Sequence, residues 1–324
     1  GDFTYKTRFT WRKSTKTGDG GYLRIIGSAD PSITSGSVSR VAEEFVQALV
    51  ASGVKRVYGE LKIDATDARW NKRVVPAGWK ADDGTGSIPG PLSTVSAARM
   101  KAVLKARLAK HAISWASTAS APFAEHDGIL SEEKHVSKPL RELIQPFMFN
   151  SINYMGEAFL RKVGELKGSK AAPDLLSAGL PLLREYVAAN IGENKVTIND
   201  GCGLSRTSRV TATGMIAFLK EMRQEPFFSD LFDSLPTAGS TGTLARRMSR
   251  TAAAGRIHAK TGTLYTPTGN FQLAGYLVEN TKAGREYHPF TILTVADGRN
   301  DGYCRSTQDR VLAKLASWMV SPKK

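Results

Sequence analysis

The chain has 324 residues, 41% apolar and 23% charged, enough to bury a core and too apolar for a disordered polyelectrolyte. No run approaches the ~18 consecutive apolar residues of a membrane-spanning helix. With 45 Lys and Arg against 30 Asp and Glu, the net charge is +15, which suits a polyanion such as nucleic acid, anionic lipid or an anionic cell-wall polymer. No zinc-finger spacing or basic–aromatic motif accompanies the charge, so nucleic acid is not expected as a partner. The two cysteines, Cys202 and Cys304, make no disulfide framework, and neither they nor His111, His126, His135, His258 and His288 show metal-ligand spacing. No metal or organic cofactor is expected. There is no signal-peptide pattern and no initiator Met, so Gly1 reads as the start of a processed or cut chain.

In chain order, residues 3–12 and 21–27 read as strands joined by a polar turn from Lys13 to Gly20. An amphipathic helix follows over about 39–52, with Val41, Phe45, Ala48 and Leu49 on one face and Gly53 at its end. Residues 54–64 read as strand, 71–91 as a Gly/Pro/Asp-rich loop, 94–110 as helix and 113–117 as strand. Near Ser120 helices begin to dominate, over about 138–149, 152–163, 181–190, 211–223 and 304–320. Three strand candidates, 256–263, 270–279 and 286–295, lie between the last two helices, the latter pair as a hairpin around Gly284. The expected fold class is α/β (α+β): an α/β unit over 1–119, then an antiparallel sheet covered by helices over 120–324.

Three segments carry chemistry: Ser151-Ile152-Asn153, opening a helix; Asp200-Gly201-Cys202-Gly203-Leu204-Ser205-Arg206, between a strand and a helix; and Lys260-Thr261-Gly262-Thr263, on a strand. Each is weak alone. Ser-x-Asn also reads as a helix cap, and a second Lys-Thr-Gly at 16–18 reads as a turn. Their order and setting are specific. With Gly27-Ser28-Ala29-Asp30-Pro31 and Pro76-Ala77-Gly78-Trp79, the chain resembles the low-molecular-mass class C penicillin-binding proteins, the D-alanyl-D-alanine carboxypeptidase/DD-endopeptidase family. Cys202 stands where that family usually has Ser, and Tyr265 where relatives can place a polar side chain.

The resemblance implies a penicillin-recognising serine transpeptidase/β-lactamase-like domain with an inserted α/β module. It implies a hydrolase of peptidoglycan stem peptides or cross-links, working through an acyl-enzyme and acylated by β-lactams, exported to the periplasm. Acyl transfer needs a nucleophile, a proton donor for the leaving amine and an oxyanion hole. The resemblance gives Ser151 the proton relay, Asn153 the substrate amide and the lysine, and Lys260 positive charge at the substrate carboxylate. Thr261 bonds that carboxylate, Gly262 admits the acyl group, and the Thr263 N–H donates to the oxyanion. Arg206, beside Ser205, is a candidate for an anionic substrate group, because guanidinium grips carboxylates bidentately.

The family's Ser-x-x-Lys nucleophile is expected upstream of residue 1. The internal matches Ser52/Lys55, Ser131/Lys134 and Ser321/Lys324 lack the setting of a buried helix's first turn. A binder without a nucleophile and a β-lactamase remain as alternatives. His258 reads as a partly exposed strand residue, Cys202 as a packing residue with a disulfide to Cys304 or a free thiol as alternatives, and Arg246, Arg247 and Arg250 as a solvated helix face. The α/β module leaves no room for the additional strands and domain of larger relatives, which implies an open cleft that admits cross-linked peptidoglycan.

Overall fold

The computed structural model describes residues 2–13, 20–83, 85–116, 129–265, 268–296 and 300–320. β1 (Lys6–Lys13) and β2 (Gly20–Gly27) pair antiparallel, Phe9 against Ile25 and Trp11 against Leu23. These four side chains are buried, as the period-2 pattern of a sheet with a covered face requires. The cover is α1 (Val38–Ala51), whose Val41, Phe45 and Leu49 recur at helical spacing and are buried. Phe45 stacks on Phe9 with ring centroids 4.6 Å apart. β3 (Arg56–Ala65) runs parallel to β2, and β4 (Ser114–Ala116) parallel to β3. Between them α2 (Ala97–Lys110) packs beside α1. It starts three residues later than expected, because the Ser96 hydroxyl caps it by accepting from the Arg99 N–H at 3.1 Å.

An unexpected strand, β5 (Ile129–Val136), pairs with β1 and completes the order β4-β3-β2-β1-β5. Glu132, Glu133 and Lys134 concealed it. An edge strand with one face in water needs few apolar residues, and charge protects it from pairing with another chain. This sheet therefore draws on residues beyond the boundary expected at 119/120. That boundary, His126, the Lys16-Thr17-Gly18 turn, Ser321 and Lys324 lie outside the described residues.

The remainder is mostly helical up to its sheet. α3 (Leu140–Asn150) leads through Ser151 into α4 (Asn153–Lys167). α5 (Leu175–Ile191) begins six residues before the expected 181. Pro181 suggested a helix start, but Asp174 caps the helix by accepting from the Ser177 N–H at 2.9 Å, and Leu175, Leu176 and Ala178 bury themselves. A two-stranded ribbon, β6 (Val196–Thr197) with β7 (Arg209–Val210), brackets the 200–206 loop. α6 (Ala212–Met222) follows, then an unanticipated short α7 (Phe228–Asp233).

β8 (Ile257–Tyr265), β9 (Gly269–Thr281) and β10 (Gly284–Ala296) form an antiparallel sheet in the order β10-β9-β8, with β9 and β10 as the expected hairpin. Leu312 and Ala316 of α8 (Asp301–Val320) pack on Ile257, Ala259, Leu273 and Leu277. Phe232 and Leu219 pack with Tyr276 and Val278. His258 lies against Phe232, centroids 4.4 Å apart, and its Nδ1 is 3.2 Å from the Thr237 hydroxyl. α4 is tied to the five-stranded unit. The Tyr154 hydroxyl donates to the Pro31 carbonyl at 3.0 Å, and the Lys162 ammonium lies 5.2 Å from the ring centroids of both Tyr5 and Trp70. No helix among the described residues is long and apolar enough to cross a membrane.

Candidate active site

A cleft of about 770 Å3 opens where α3 meets α4, bounded by the 200–206 loop, β8 and the start of α8. Ser151, Asn153, Lys260, Thr261, Gly262 and Thr263 all line it, drawn from segments 109 residues apart in sequence. Ser151 does not open a helix as expected. It closes α3 as its C-cap, with the left-handed backbone φ 56°, ψ 54°, while Asn153 begins α4. A serine held in that region carries backbone strain, which surrounding structure must maintain. Here the Ser151 N–H donates to the Phe147 carbonyl, and the chain reverses as that same carbonyl also accepts from the Ile152 N–H at 3.2 Å.

The Lys260 ammonium donates to the Ser151 hydroxyl at 2.6 Å and to the Thr261 carbonyl at 2.7 Å. Burial lowers its pKa from 10.5 to about 8. The Thr261 hydroxyl donates to the Thr243 hydroxyl at 2.9 Å, a cleft residue that the motifs did not point to.

β8 is an edge strand whose outer edge changes character along its length. Its first part is covered: the Ile257 carbonyl accepts from the Ala238 N–H, and the Ala259 N–H donates to the Pro236 carbonyl, both at 2.9 Å. Outward-facing backbone groups alternate along a strand, so the next pairs on this edge belong to Thr261 and Thr263. There the edge opens into the cleft.

The 200–206 loop is organised around the buried Asp200. Its carboxylate accepts from the Gly203 N–H at 3.0 Å, the Ser205 N–H at 2.7 Å and the Trp79 indole N–H at 2.9 Å. Glu157 of α4, fully buried, accepts from the Gly201 N–H at 2.7 Å and forms an ion pair with the equally buried Arg161. Gly156 and Gly201 bring their backbones together, and a Cβ on either would penetrate the other's carbonyl oxygen. Gly156→Ala is therefore expected to destabilise the fold by about 2 kcal/mol or more, because backbone has to move. Chemical denaturation of the variant measures this.

Two expected site residues are placed elsewhere. Ser205 is buried, and its hydroxyl donates to the Ala77 carbonyl at 2.6 Å. Arg206 forms a bidentate ion pair with Asp83, which holds the Asp83 carboxyl below its usual range. Neither is among the residues lining the cleft. Both instead dock the 76–83 segment, which Gly78 permits at φ +79°, with the Arg206 N–H bonded to the Gly78 carbonyl at 3.0 Å. The expectation for Arg247 also needs correction: it lines the cleft and is bonded to α8, instead of lying on a solvated face.

Cys202 lines the cleft as a free thiol whose pKa is pushed up by burial, with Asp200 and Glu157 adding to the effect. Cys304 is free and buried. Of the internal Ser-x-x-Lys matches, Ser52 caps the end of α1. Ser131 and Lys134 lie in β5, three residues apart, so their side chains leave opposite faces of the sheet.

Comparison with known proteins follows the same lines. The family model for the D-Ala-D-Ala carboxypeptidase 3 (S13) family matches residues 1–101 and 92–314. A D-alanyl-D-alanine carboxypeptidase of Actinomadura sp. (strain R39) is 34% identical over 164 residues, 46% of this chain and 30% of that protein. Carboxypeptidase DacB of Mycolicibacterium smegmatis is 34% identical over 152 residues, 45% of this chain and 32% of that protein. The alignments thus span about a third of these relatives' own length. The crystal structure of penicillin binding protein 4 from Haemophilus influenzae superposes with a TM-score of 0.74 at 18% identity, covering 97% of this chain and 86% of that one. A predatory peptidoglycan endopeptidase from Bdellovibrio bacteriovorus gives 0.57 at 16% identity, covering 99% and 82%. These likenesses establish the penicillin-recognising fold, and the family match extends over nearly all of the sequence: the chain belongs to the D-Ala-D-Ala carboxypeptidase 3 (S13) family.

Proposed function

We propose that this chain forms the peptide-binding and proton-relay part of a serine DD-peptidase, acting on D-Ala-D-Ala stem peptides or cross-links of peptidoglycan in the periplasm and acylated by β-lactams. The observation that carries the reading is the contact between Lys260 and Ser151 at 2.6 Å, set where the edge of β8 opens.

An extended peptide can add to that edge through the backbone groups of Thr261 and Thr263. The Thr263 N–H then meets the scissile carbonyl as an oxyanion donor. Gly262 offers no side chain to obstruct the acyl group. Lys260 supplies charge and Thr261 a hydroxyl for the substrate's terminal carboxylate. Ser151, hydrogen-bonded to Lys260, is placed to pass a proton to the departing amine, while Asn153 at the start of α4 holds the substrate amide. An anionic substrate group at Arg206 would share the guanidinium with Asp83. The attacking serine is not among the described residues around the cleft, so the reading assigns it to a Ser-x-x-Lys segment elsewhere in the full-length protein.

Intact-mass spectrometry of the full-length protein after exposure to a penicillin, with peptide mapping to locate the adduct, is the test. A covalent adduct on a serine other than Ser151 supports the reading. An adduct on Ser151 would make that residue the nucleophile, and no adduct would leave a peptide binder.

The pH dependence has a definite sign. Lys260 is cationic below about 8 and neutral above it. Affinity for a D-Ala-D-Ala peptide with a free carboxylate is expected to fall as pH rises through that value, well before an ordinary lysine would titrate at ~10.4. The carboxamide analogue should show no such limb. A titration series from about pH 6 to about pH 10 compares the two.

A further inference from the structure

Past Thr261 and Thr243 the cleft continues to a wall that the chemistry above does not use. Arg247 enters this wall from the chain following Leu244. Its Nε and Nη2 donate to Asp309 of α8 at 3.0 and 2.7 Å, and Nη2 also reaches the Gln308 side-chain carbonyl at 3.1 Å. Gln308 is buried and is itself fixed, its amide donating to the Phe271 carbonyl of β9 at 3.1 Å. The guanidinium is thus held along one edge, and its Nη1 has no hydrogen-bond partner among the described residues. Arg305, one turn earlier on α8, lines the same cleft with a side chain 47% exposed.

The opposing charges are accounted for. Asp309 is engaged by Arg247, while Asp301 accepts from the Tyr265 hydroxyl and lies 3.5 Å from Arg305. Lys260, Arg247 and Arg305 therefore face the cleft with an excess of positive charge over these two carboxylates.

We infer that Arg247 and Arg305 form a second anion-binding subsite, which takes a carboxylate of the departing strand in a cross-linked substrate. The inference rests on the DD-peptidase reading and adds a substrate class to it. An uncross-linked stem peptide releases a single residue, whose one carboxylate is taken by Lys260 and Thr261. A cross-link releases the amine of a whole second peptide, which brings further carboxylates beyond Thr261. Guanidinium suits them, because its planar fork holds a carboxylate in a fixed orientation. Arg247 supplies the fixed donor and Arg305, half in solvent, the adjustable one.

The test is a binding titration of the full-length protein with three defined probes: a cross-linked stem-peptide dimer, the same dimer with the departing strand's carboxylates amidated except the one beside the scissile bond, and an uncross-linked pentapeptide. The free-acid dimer is expected to bind roughly tenfold more tightly than the amidated one, a typical worth for one charge-assisted contact. Arg305→Gln should lower that ratio to the part that Arg247 alone supplies, and Arg305→Glu should lower it further. A variant that merely lost folded protein would lower both affinities and leave the ratio intact. Equal binding of the two dimers by the unaltered protein, or a preference unchanged by Arg305→Gln, overturns the subsite. Failure of the unaltered protein to bind any of the three probes overturns the DD-peptidase reading as well, whereas binding of the pentapeptide without discrimination between the dimers removes the subsite alone.

Discussion

Replacing Lys260 with alanine is expected to slow acylation of the full-length protein by penicillin roughly a thousandfold, the combined scale of a lost proton relay and a lost electrostatic contact. Two functions leave together. The ammonium that polarises the Ser151 hydroxyl disappears, and so does the positive charge facing the ligand's carboxylate. The fold should survive, because β8 keeps its backbone pairing with β9 from Ile257 to Tyr265 and the removed charge was held in a partly desolvated place. Time-resolved intact-mass measurement reads the rate, and a thermal melt reports the fold. A Lys260→Ala protein that acylates at the original rate would take this lysine out of the reaction.

The second large effect is on stability. Arg161→Ala should cost about 3–5 kcal/mol, since it strands a carboxylate in the interior. Glu157 is fully buried and Arg161 is 2% exposed by side chain, so water cannot replace the lost partner. The Gly201 N–H still bonds Glu157, but one amide does not neutralise a buried charge. Arg161 also donates to the Val74 carbonyl at 2.8 Å, which would be left without that donor. Urea denaturation measures the loss. The double variant Glu157→Leu with Arg161→Met should recover much of it, because removing both charges removes the desolvation cost. A double variant as unstable as the single one would show that the pair's hydrogen bonds, and not its stranded charge, set the energy.

The sequence showed most clearly what depends on short motifs and periodicity. α1 follows from its apolar spacing, the β9–β10 hairpin from Gly284 between two alternating runs, and the meeting of Ser151, Asn153 and Lys260 from motif order. What it did not show was settled by partners distant in the chain. β5 is charged and becomes a strand only because β1 offers it an edge. The α5 start was obscured by Pro181, whose local cost is outweighed by packing and the Asp174 cap. Ser205 and Arg206 lie in the Asp200–Arg206 motif, yet the structure uses them to dock residues 77–83, and no local rule distinguishes that use from substrate binding. Arg247 looked like one of three solvent-facing arginines, because its acceptor Asp309 is 62 residues away.

The docking of Trp79, Ala77 and Asp83 onto the 200–206 loop has an evolutionary consequence. A shortened chain of residues 137–324 would retain every side chain that lines the cleft, yet lose three of the anchors that give its loop a shape. The first unit therefore cannot be shed or exchanged freely among relatives. Recombination that imports a foreign five-stranded unit has to bring a matching 76–83 segment with it, so these two stretches should change together across descendants, as the halves of one joint.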